Sequence, residues 1–363
     1  MYICTLHENK PMIIFDCQSL RRPNVGYYHY ALNLSKALLV ESGRRAEKMG
    51  LYLPDCARGL YAGLGKFPVR RWHHIDKHFM FLGPRVHLYH VSNQLTQYAP
   101  RSFRLPVLTT VHDINCLHFA ESQEAYKWLI KHTERAVRHS TRIVTISEVA
   151  RKDICEYFDL TPADVDMVYN GVDYYDGPIT APEKVPEGEF LLYLGRIDGS
   201  KNIHVLPALL DGNDYRLLIV GRPEKTECET PRILEEARRW GCADRIIFTG
   251  PVPEPVKHWY LQNCEAFLFP SLAEGFGLPV LEAMRYGKPV FCSDRTSLPE
   301  IGGDCAFYFN HDFEPRAMQE ELRNGLAAFR AGELPPEKII ARTRLFSWEK
   351  AAKEYYDIYE KML

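Results

Sequence analysis

The sequence predicts an α/β protein of two doubly wound, Rossmann-like units. Short apolar runs alternate with helix-length amphipathic stretches, the pattern of parallel strands wrapped by helices. A segment rich in Pro and Gly breaks the alternation near mid-chain, and the alternation then restarts. At 363 residues the chain is long enough for two hydrophobic cores.

Met12–Phe15 reads as the first strand. Tyr27–Val40 follows as a helix with Ala31, Leu34 and Leu38 on one face. Leu51–Leu53, His87–Val91, Val107–Val111, Ile143–Ile146 and Asp166–Tyr169 read as further strands, with a helix at Glu124–His139. Asp176–Gly188 has no hydrophobic period and reads as the linker. Strands resume at Phe190–Leu194, Arg216–Val220, Ile246–Phe248, Ala266–Phe269, Pro289–Ser293 and Ala306–Phe309. A last helix runs from about Ser347, with Ala351, Tyr355, Ile358 and Met362 on one stripe. The chain thus divides into domains at 1–178 and 179–346, with a closing helix at 347–363. Ligands of such sheets bind beyond the carboxyl ends of the strands, so two units facing each other make a cleft.

Apolar residues make up 46% and charged residues 25%, as in ordinary globular enzymes. The net charge of −2 gives no argument for nucleic acid as a partner. Charge is unevenly divided: bases outnumber acids up to residue 178 and acids outnumber bases after it, so the halves face different partners. The ten cysteines are scattered from Cys4 to Cys305 without a C-x-x-C pair. That excludes zinc ribbons and thioredoxin-like motifs and fits reduced thiols in a cytosolic protein. No apolar run approaches the roughly 18 residues of a membrane span, and Met12–Asp16 is too short for a signal peptide. A cytoplasmic protein is expected.

The strongest segment for chemistry is Phe269–Met284. A strand ends at Pro270, a Gly-rich turn follows, and a helix starts at about Leu278. The N–H groups and dipole of a helix start suit a phosphate. Gly275 and Gly277 let the backbone approach closely. Glu274 before the helix and Glu282 about one turn inside it are placed to accept hydrogen bonds from sugar hydroxyls. One faces a transferred sugar and the other a ribose. A second strand ends in Leu194-Gly-Arg-Ile-Asp-Gly-Ser-Lys-Asn202, where Arg196 and Lys201 can converge on one diphosphate.

In the first half, Thr109–Asp113 puts His112 at a strand end, where it either points into the cleft or caps the core edge. Asn24–Tyr28 sets Gly26 at the start of the first helix, where a phosphate or an acceptor can meet it. Residues 66–85 carry five Lys/Arg and one acid among Phe67, Trp72, Phe79, Met80 and Phe81. That stretch reads either as an acceptor or membrane-surface segment, with Arg70, Arg71 and Trp72 as its contacts, or as an ordinary helix with a basic face. No G-x-G-x-x-G follows a strand, which disfavours a nicotinamide enzyme. P-loop, H-E-x-x-H and G-x-S-x-G motifs are absent too.

Together these segments resemble the retaining glycosyltransferases of family 4, which have the GT-B fold. The likeness is strongest from Leu191 to Glu300: Leu194-Gly-Arg, Ser200-Lys-Asn, Phe248-Thr-Gly-Pro-Val-Pro, Phe269–Glu282 and Ser297-Leu-Pro-Glu300 stand in the family's order and spacing. Val111-His-Asp113, Thr145-Ile-Ser-Glu148, Asn170-Gly-Val-Asp173 and Phe346-Ser-Trp-Glu349 extend it. Two places depart from the family's pattern. Asn24-Val-Gly-Tyr-Tyr28 lacks the first Gly and the Arg of Gly-x-Gly-Arg-Tyr, and Gly199-Ser200 replaces the Pro-Glu that often precedes the Lys.

The resemblance implies roles. Glu274 binds hydroxyls of the transferred sugar. Gly275, Phe276, Gly277 and Leu278 offer backbone N–H groups to that sugar and the phosphate, and Glu282 binds the ribose. Arg196 and Lys201 neutralise the leaving diphosphate, and His112 sits beside the transferred sugar. The implied activity is hexosyl transfer from a nucleotide-sugar, first GDP-mannose, to a glycan or lipid-linked acceptor of surface polysaccharide or lipopolysaccharide. The reaction proceeds with retention, at the inner face of the cytoplasmic membrane, and the closing helix crosses back onto the first domain. No cofactor and no metal are expected, since fixed cations and a helix start can stabilise the leaving group. A UDP-, ADP- or dTDP-sugar donor, another GT-B reaction such as epimerisation or phosphorolysis, a silent nucleotide-sugar-binding protein and a double-displacement route all stay open to the sequence.

Overall fold

The structure is a computed structural model. It describes residues 11–22, 26–45, 47–78, 80, 82, 85–100, 105–120, 122–223 and 229–363. Cys4, Asn24, Val25, Phe79 and Phe81, singled out above, lie outside the described residues. The chain forms two compact units, each with its own sheet.

The first unit takes in Met1–Ile114, Lys127–Gly171 and Ser347–Leu363. Its strands are β1 (Met12–Asp16), β2 (Lys48–Leu53), β3 (Val69–Arg71), β4 (Val86–Val91), β5 (Val107–Val111), β6 (Arg142–Thr145) and β7 (Val165–Met167). All pair in parallel, in the order β3-β2-β1-β4-β5-β6-β7. Helices α1 (Gly26–Ser42), α2 (Gln123–Arg138) and α3 (Glu148–Phe158) connect strands. In α1 the expected face of Ala31, Leu34 and Leu38 is buried, joined by Tyr30 and Ser35. The Thr145–Glu148 motif is a helix start: the Ser147 hydroxyl accepts the Ala150 N–H at 3.2 Å, and Glu148 adds an acid to the first turn.

The second unit takes in Asn115–Tyr126 and Val172–Phe346. Its strands are β8 (Phe190–Leu194), β9 (Arg216–Val220), β10 (Ile246–Gly250), β11 (Ala266–Phe269), β12 (Val290–Ser293) and β13 (Phe307–Phe309), again all parallel, in the order β10-β9-β8-β11-β12-β13. Helices α4 (Glu229–Arg239), α5 (Glu254–Asn263), α6 (Leu278–Met284), α7 (Leu298–Gly302), α8 (Pro315–Arg330) and α9 (Pro336–Thr343) belong to this unit. The inner strands are buried on both faces, which is why they read as unbroken apolar runs. At the ends of β8 and β9 the backbones nearly touch. A Cβ on Gly221, whose φ is +149°, would stand 1.8 Å from the Gly195 carbonyl oxygen.

The final helix, α10 (Trp348–Met362), is part of the first unit. Ser347 caps it by accepting the Lys350 N–H at 3.1 Å. Ala351, Tyr355 and Ile358 are buried as read from the sequence, whereas Met362 is only half-buried. The buried stripe is wider than the sequence suggests and includes Ala352, Tyr356 and Tyr359.

The structure corrects three readings. Among the described residues of 66–85 there is no α-helix: β3 forms an edge strand there, and a short 3-10 turn follows at His74–Lys77. Tertiary pairing of Leu51 and Tyr52 with Val69 and Arg70 overrides the helical pattern. The unit boundary lies at Gly171/Val172 rather than at 178, because the chain joins the second unit before its Pro-rich stretch begins. Asn115–Tyr126 also packs with the second unit, which no composition shift announces.

Gly221→Ala is expected to destabilise the protein by about 3 kcal/mol or more, since the new Cβ meets backbone that cannot move independently. Urea denaturation checks this, and a midpoint within error of wild type would contradict it.

Candidate functional site

In the second sheet the strand order reverses between β8 and β11. The loops leaving those two strands carry the predicted residues. The β8 loop turns at Asp198, whose carboxylate caps Gly199–Lys201 by accepting the Ser200 N–H at 3.0 Å. Asp198 is buried and pairs with the Arg196 guanidinium at 3.3 Å, while the Arg196 side chain itself is 54% exposed. The Tyr193 hydroxyl donates to the Arg196 carbonyl at 2.7 Å and fixes the loop from below. So the loop aims a cation outward on a buried acid.

The β11 loop lies against the first. The Leu272 N–H donates to the Ser200 carbonyl at 2.8 Å, and Lys201 Nζ meets Glu274 Oε1 at 2.6 Å. Both side chains are mostly buried. An ammonium carries three donors and Glu274 takes one of them. Gly277 takes φ +113° to turn the chain into α6, and a Cβ there would reach Leu298 at 2.7 Å. Gly275, Phe276 and Gly277 are buried, and Leu278 opens α6.

Sequence reasoning missed the hydroxyls that hold this loop. Ser297 Oγ lies 2.9 Å from the Glu274 carbonyl and 2.8 Å from the Phe276 carbonyl. Ser293 Oγ donates to the Ser271 carbonyl at 2.6 Å, and Thr296 Oγ1 accepts the Glu274 N–H at 3.0 Å. Ser297-Leu-Pro-Glu300 was visible as a motif, but its function as a brace was not.

Glu282 is in α6 and accepts from Lys257 of α5 at 3.3 Å. Lys257 also pairs with Glu254 at 2.7 Å. Burial alone lowers the pKa of this ammonium, but Glu282 and Glu254 more than offset that and leave it raised. Lys257 gave no signal in the sequence.

His112 and Gly26 lie in the first unit. His112 directly follows β5 and is buried. Its N–H donates to Gln94 Oε1 at 3.1 Å, and its ring Nε2 lies 2.9 Å from the Ser92 carbonyl. A carbonyl only accepts, so the ring proton sits on Nε2 and Nδ1 bears the lone pair. Burial lowers its pKa to about 4, so the imidazole is neutral at pH 7. Tyr27 and Tyr30 stand edge-on to the ring at 4.6 and 4.5 Å. Gly26 opens α1, and a Cβ there would meet nothing within 4 Å, so no crowding within the protein requires a glycine.

Asp16, also missed, ends β1 beside the strand-order reversal of the first sheet. It is wholly buried and accepts the Gln18 N–H at 2.8 Å, with Ser92 Oγ at 3.5 Å. Burial raises its pKa from 3.8 to about 7, and those hydrogen bonds only partly oppose the rise. An acid closing an apolar strand was the available signal.

Arg70 and Trp72 are drawn into the fold. Arg70 pairs with buried Asp76 at 2.8 Å, and Arg21 stacks 3.9 Å over the Trp72 ring. Arg71 stays 67% exposed. The expectation of no metal overlooked an Asp-x-Asp triplet, Asp164-Val-Asp166. Its carboxylates have protein partners: Asp166 forks with Arg142 at 2.7 and 3.1 Å, and Asp164 accepts from Thr161. Among the described residues no group of three or more His, Cys, Asp or Glu could hold a metal, and no helix is long and apolar enough to cross a membrane.

Two family models match the chain: Glycosyltransferase Family 4 over residues 41–174 and Glycosyl transferases group 1 over residues 179–324. O-antigen chain mannosyltransferase B of Escherichia coli is 26% identical over 96% of this chain and 99% of its own. The serotype-specific mannosyltransferase WbdA of Escherichia coli is 33% identical over 64% of this chain, which corresponds to 27% of that longer protein. Among solved structures, sucrose-phosphate synthase from Thermosynechococcus elongatus superposes with a TM-score of 0.70 at 17% identity, over 97% of this chain and 99% of that one. HepE of Anabaena, solved with UDP-glucose, gives 0.67 at 19% identity, over 96% and 99%.

Asp16 makes a pH prediction. Between 3.8 and about 7 the folded chain holds a proton that the unfolded chain has lost, so this group's contribution to stability falls as pH rises through that window. His112 acts oppositely: its contribution is present above 6.5 and is lost as pH falls towards 4. Asp16→Asn removes the first effect alone. Its stability relative to wild type is expected to climb by up to roughly 1.4 kcal/mol per pH unit between pH 4 and 7, read by urea unfolding. A flat difference would mean that Asp16 keeps an ordinary pKa.

Proposed function

Because the chain belongs to the glycosyl transferases group 1 and family 4 glycosyltransferases, with the GT-B fold, we propose that it transfers mannose from GDP-mannose. The acceptor is a glycan or lipid-linked glycan of a surface polysaccharide such as an O-antigen. One observation carries the chemistry: Arg196, Lys201 and Glu274 lie on the two loops that leave β8 and β11, where the strand order of the second sheet reverses. The mannosyl choice draws its support from the relative that matches along almost its whole length, an O-antigen chain mannosyltransferase.

In the reaction the bond between the anomeric carbon and the diphosphate breaks, and the acceptor oxygen bonds to that carbon. Positive charge builds on the sugar and negative charge on the diphosphate. Lys201, held by Glu274, and Arg196, held by Asp198, stabilise the leaving group without reorganising. Glu274 and the backbone of Gly275–Leu278 bind the transferred sugar, and Glu282 accepts from the ribose. His112, whose ring is neutral at pH 7, is assigned to that sugar on the family resemblance. The acceptor attacks from the face the diphosphate leaves, its proton passes to the departing phosphate oxygen, and configuration is retained. No metal takes part. The acceptor brings the enzyme to the inner face of the cytoplasmic membrane, where Lys66, Arg71 and Lys77, exposed along residues 66–85, meet anionic headgroups.

A thermal-shift series with GDP, UDP, ADP, TDP and their sugars tests the donor. GDP and GDP-mannose are expected to stabilise the protein, by about 2.7 kcal/mol at a hundred times Kd. A shift with UDP compounds alone would overturn the assignment. Lys201→Met is expected to lower kcat/KM roughly a hundredfold or more, with wild-type turnover kept in EDTA. Near-wild-type rates in the variant would remove Lys201 from the mechanism, and loss of activity with EDTA would overturn the metal-free route.

A further inference from the structure

A closed cluster of buried polar groups joins α10 to the sheet of the first unit. The hydroxyls of Tyr30, Thr110 and Tyr355 form a triangle, with Tyr30–Tyr355 at 2.8 Å, Tyr30–Thr110 at 2.9 Å and Thr110–Tyr355 at 3.1 Å. Each hydroxyl has one proton, so each donates once and accepts once around the ring. His90 Nε2 lies 2.8 Å from Thr110 Oγ1, and its Nδ1 lies 2.7 Å from the Tyr359 hydroxyl. The Thr110 proton is already used in the triangle, so the spare lone pair of Thr110 must accept from His90 Nε2–H. Nδ1 then accepts from Tyr359. The bond count closes with His90 neutral and its tautomer fixed, and all five side chains are buried.

Tyr30 carries this network to His112. Its ring stands edge-on to the imidazole at 4.5 Å and 80°, and Trp348, the first residue of α10, flanks Tyr30 at 6.1 Å. Among the described residues the His112 ring makes one hydrogen bond, from Nε2 to the Ser92 carbonyl. One hydrogen bond leaves a ring free to rock about it. Packing of Tyr30 and Tyr27 against the ring removes that freedom. Tyr30 in turn cannot swing away while its hydroxyl is held on both sides.

We propose that Tyr30 and Tyr355 are positioning residues for His112: the Tyr355 hydroxyl, on a helix more than 200 residues downstream, holds Tyr30, and the Tyr30 ring sets the plane of the imidazole. The inference rests on the reading of His112 beside the transferred sugar. The last helix of the chain therefore acts on the reaction as well as on stability.

The test uses the full chain with Tyr355→Phe and Tyr30→Phe, which keep both rings. Tyr356→Phe is the control, since its hydroxyl donates to the Leu38 carbonyl, outside the cluster. Tm, kcat, donor KM and the ¹H–¹⁵N signals of the His112 ring are measured. Tyr355→Phe and Tyr30→Phe are expected to lower kcat roughly tenfold with donor KM within about twofold, and to shift the His112 signals. Tyr356→Phe is expected to lower Tm alone. A fall in Tm for the two cluster variants with kcat and His112 signals unchanged would overturn the proposal. His112→Ala separates the two ideas. Wild-type turnover in that variant would remove the reaction-centre reading, while shifted His112 signals in Tyr355→Phe would still show the coupling.

Discussion

A doubly wound parallel sheet has one place where consecutive connections leave on opposite faces. No helix covers the carboxyl ends of the two strands flanking that place, so their loops are the ones that can meet a ligand. In the second unit those strands are β8 and β11. The reversal is why Lys201 and Glu274, 73 positions apart in the chain, meet at 2.6 Å. On the other side of β8, where it runs beside β9, Gly195 and Gly221 crowd each other. Arg196 owes its outward aim to the same loop, through Asp198.

The two units use charge differently. The second pairs its candidate site residues with partners of opposite sign: Lys201 with Glu274, Arg196 with Asp198, Lys257 with Glu282 and Glu254. Charges held by fixed partners suit the stabilisation of a leaving diphosphate. The first unit instead buries polar groups that are neutral at pH 7 or close to it. His90 and His112 are held to pKa values of about 3 and 4 by burial, and Asp16 is pushed to about 7. Neutral rings with every proton assigned serve geometry better than charge, and α10 supplies part of that geometry through Tyr355 and Tyr359.

Most of the fold was legible because inner parallel strands are apolar throughout and helices show a period of 3.6. The exceptions were edges. Strand β3 carries Arg70 and Arg71, and its identity comes from pairing with β2 rather than from its own composition. The candidate site was legible where a residue's placement depends on local chain shape, as at Gly277, Lys201 and Glu274. It was illegible where the role comes from a distant neighbour. Ser297 braces the carbonyls of Glu274 and Phe276 from more than twenty residues away. Lys257 matters because α5 lies beside α6, and Asp16 because its strand is central.

The sequence by itself determined that there are two α/β units, which loops hold the candidate site residues, and which family the chain resembles. Periodicity and turn residues are local properties, and a single chain displays them without folding. Tertiary structure alone decided which side chains pair, which groups are neutral and which hydroxyls brace the loops. Those outcomes depend on burial and on contacts between residues far apart in sequence, such as Tyr30 with Tyr355 or Lys201 with Glu274. Desolvation moves a pKa only once neighbours have excluded water.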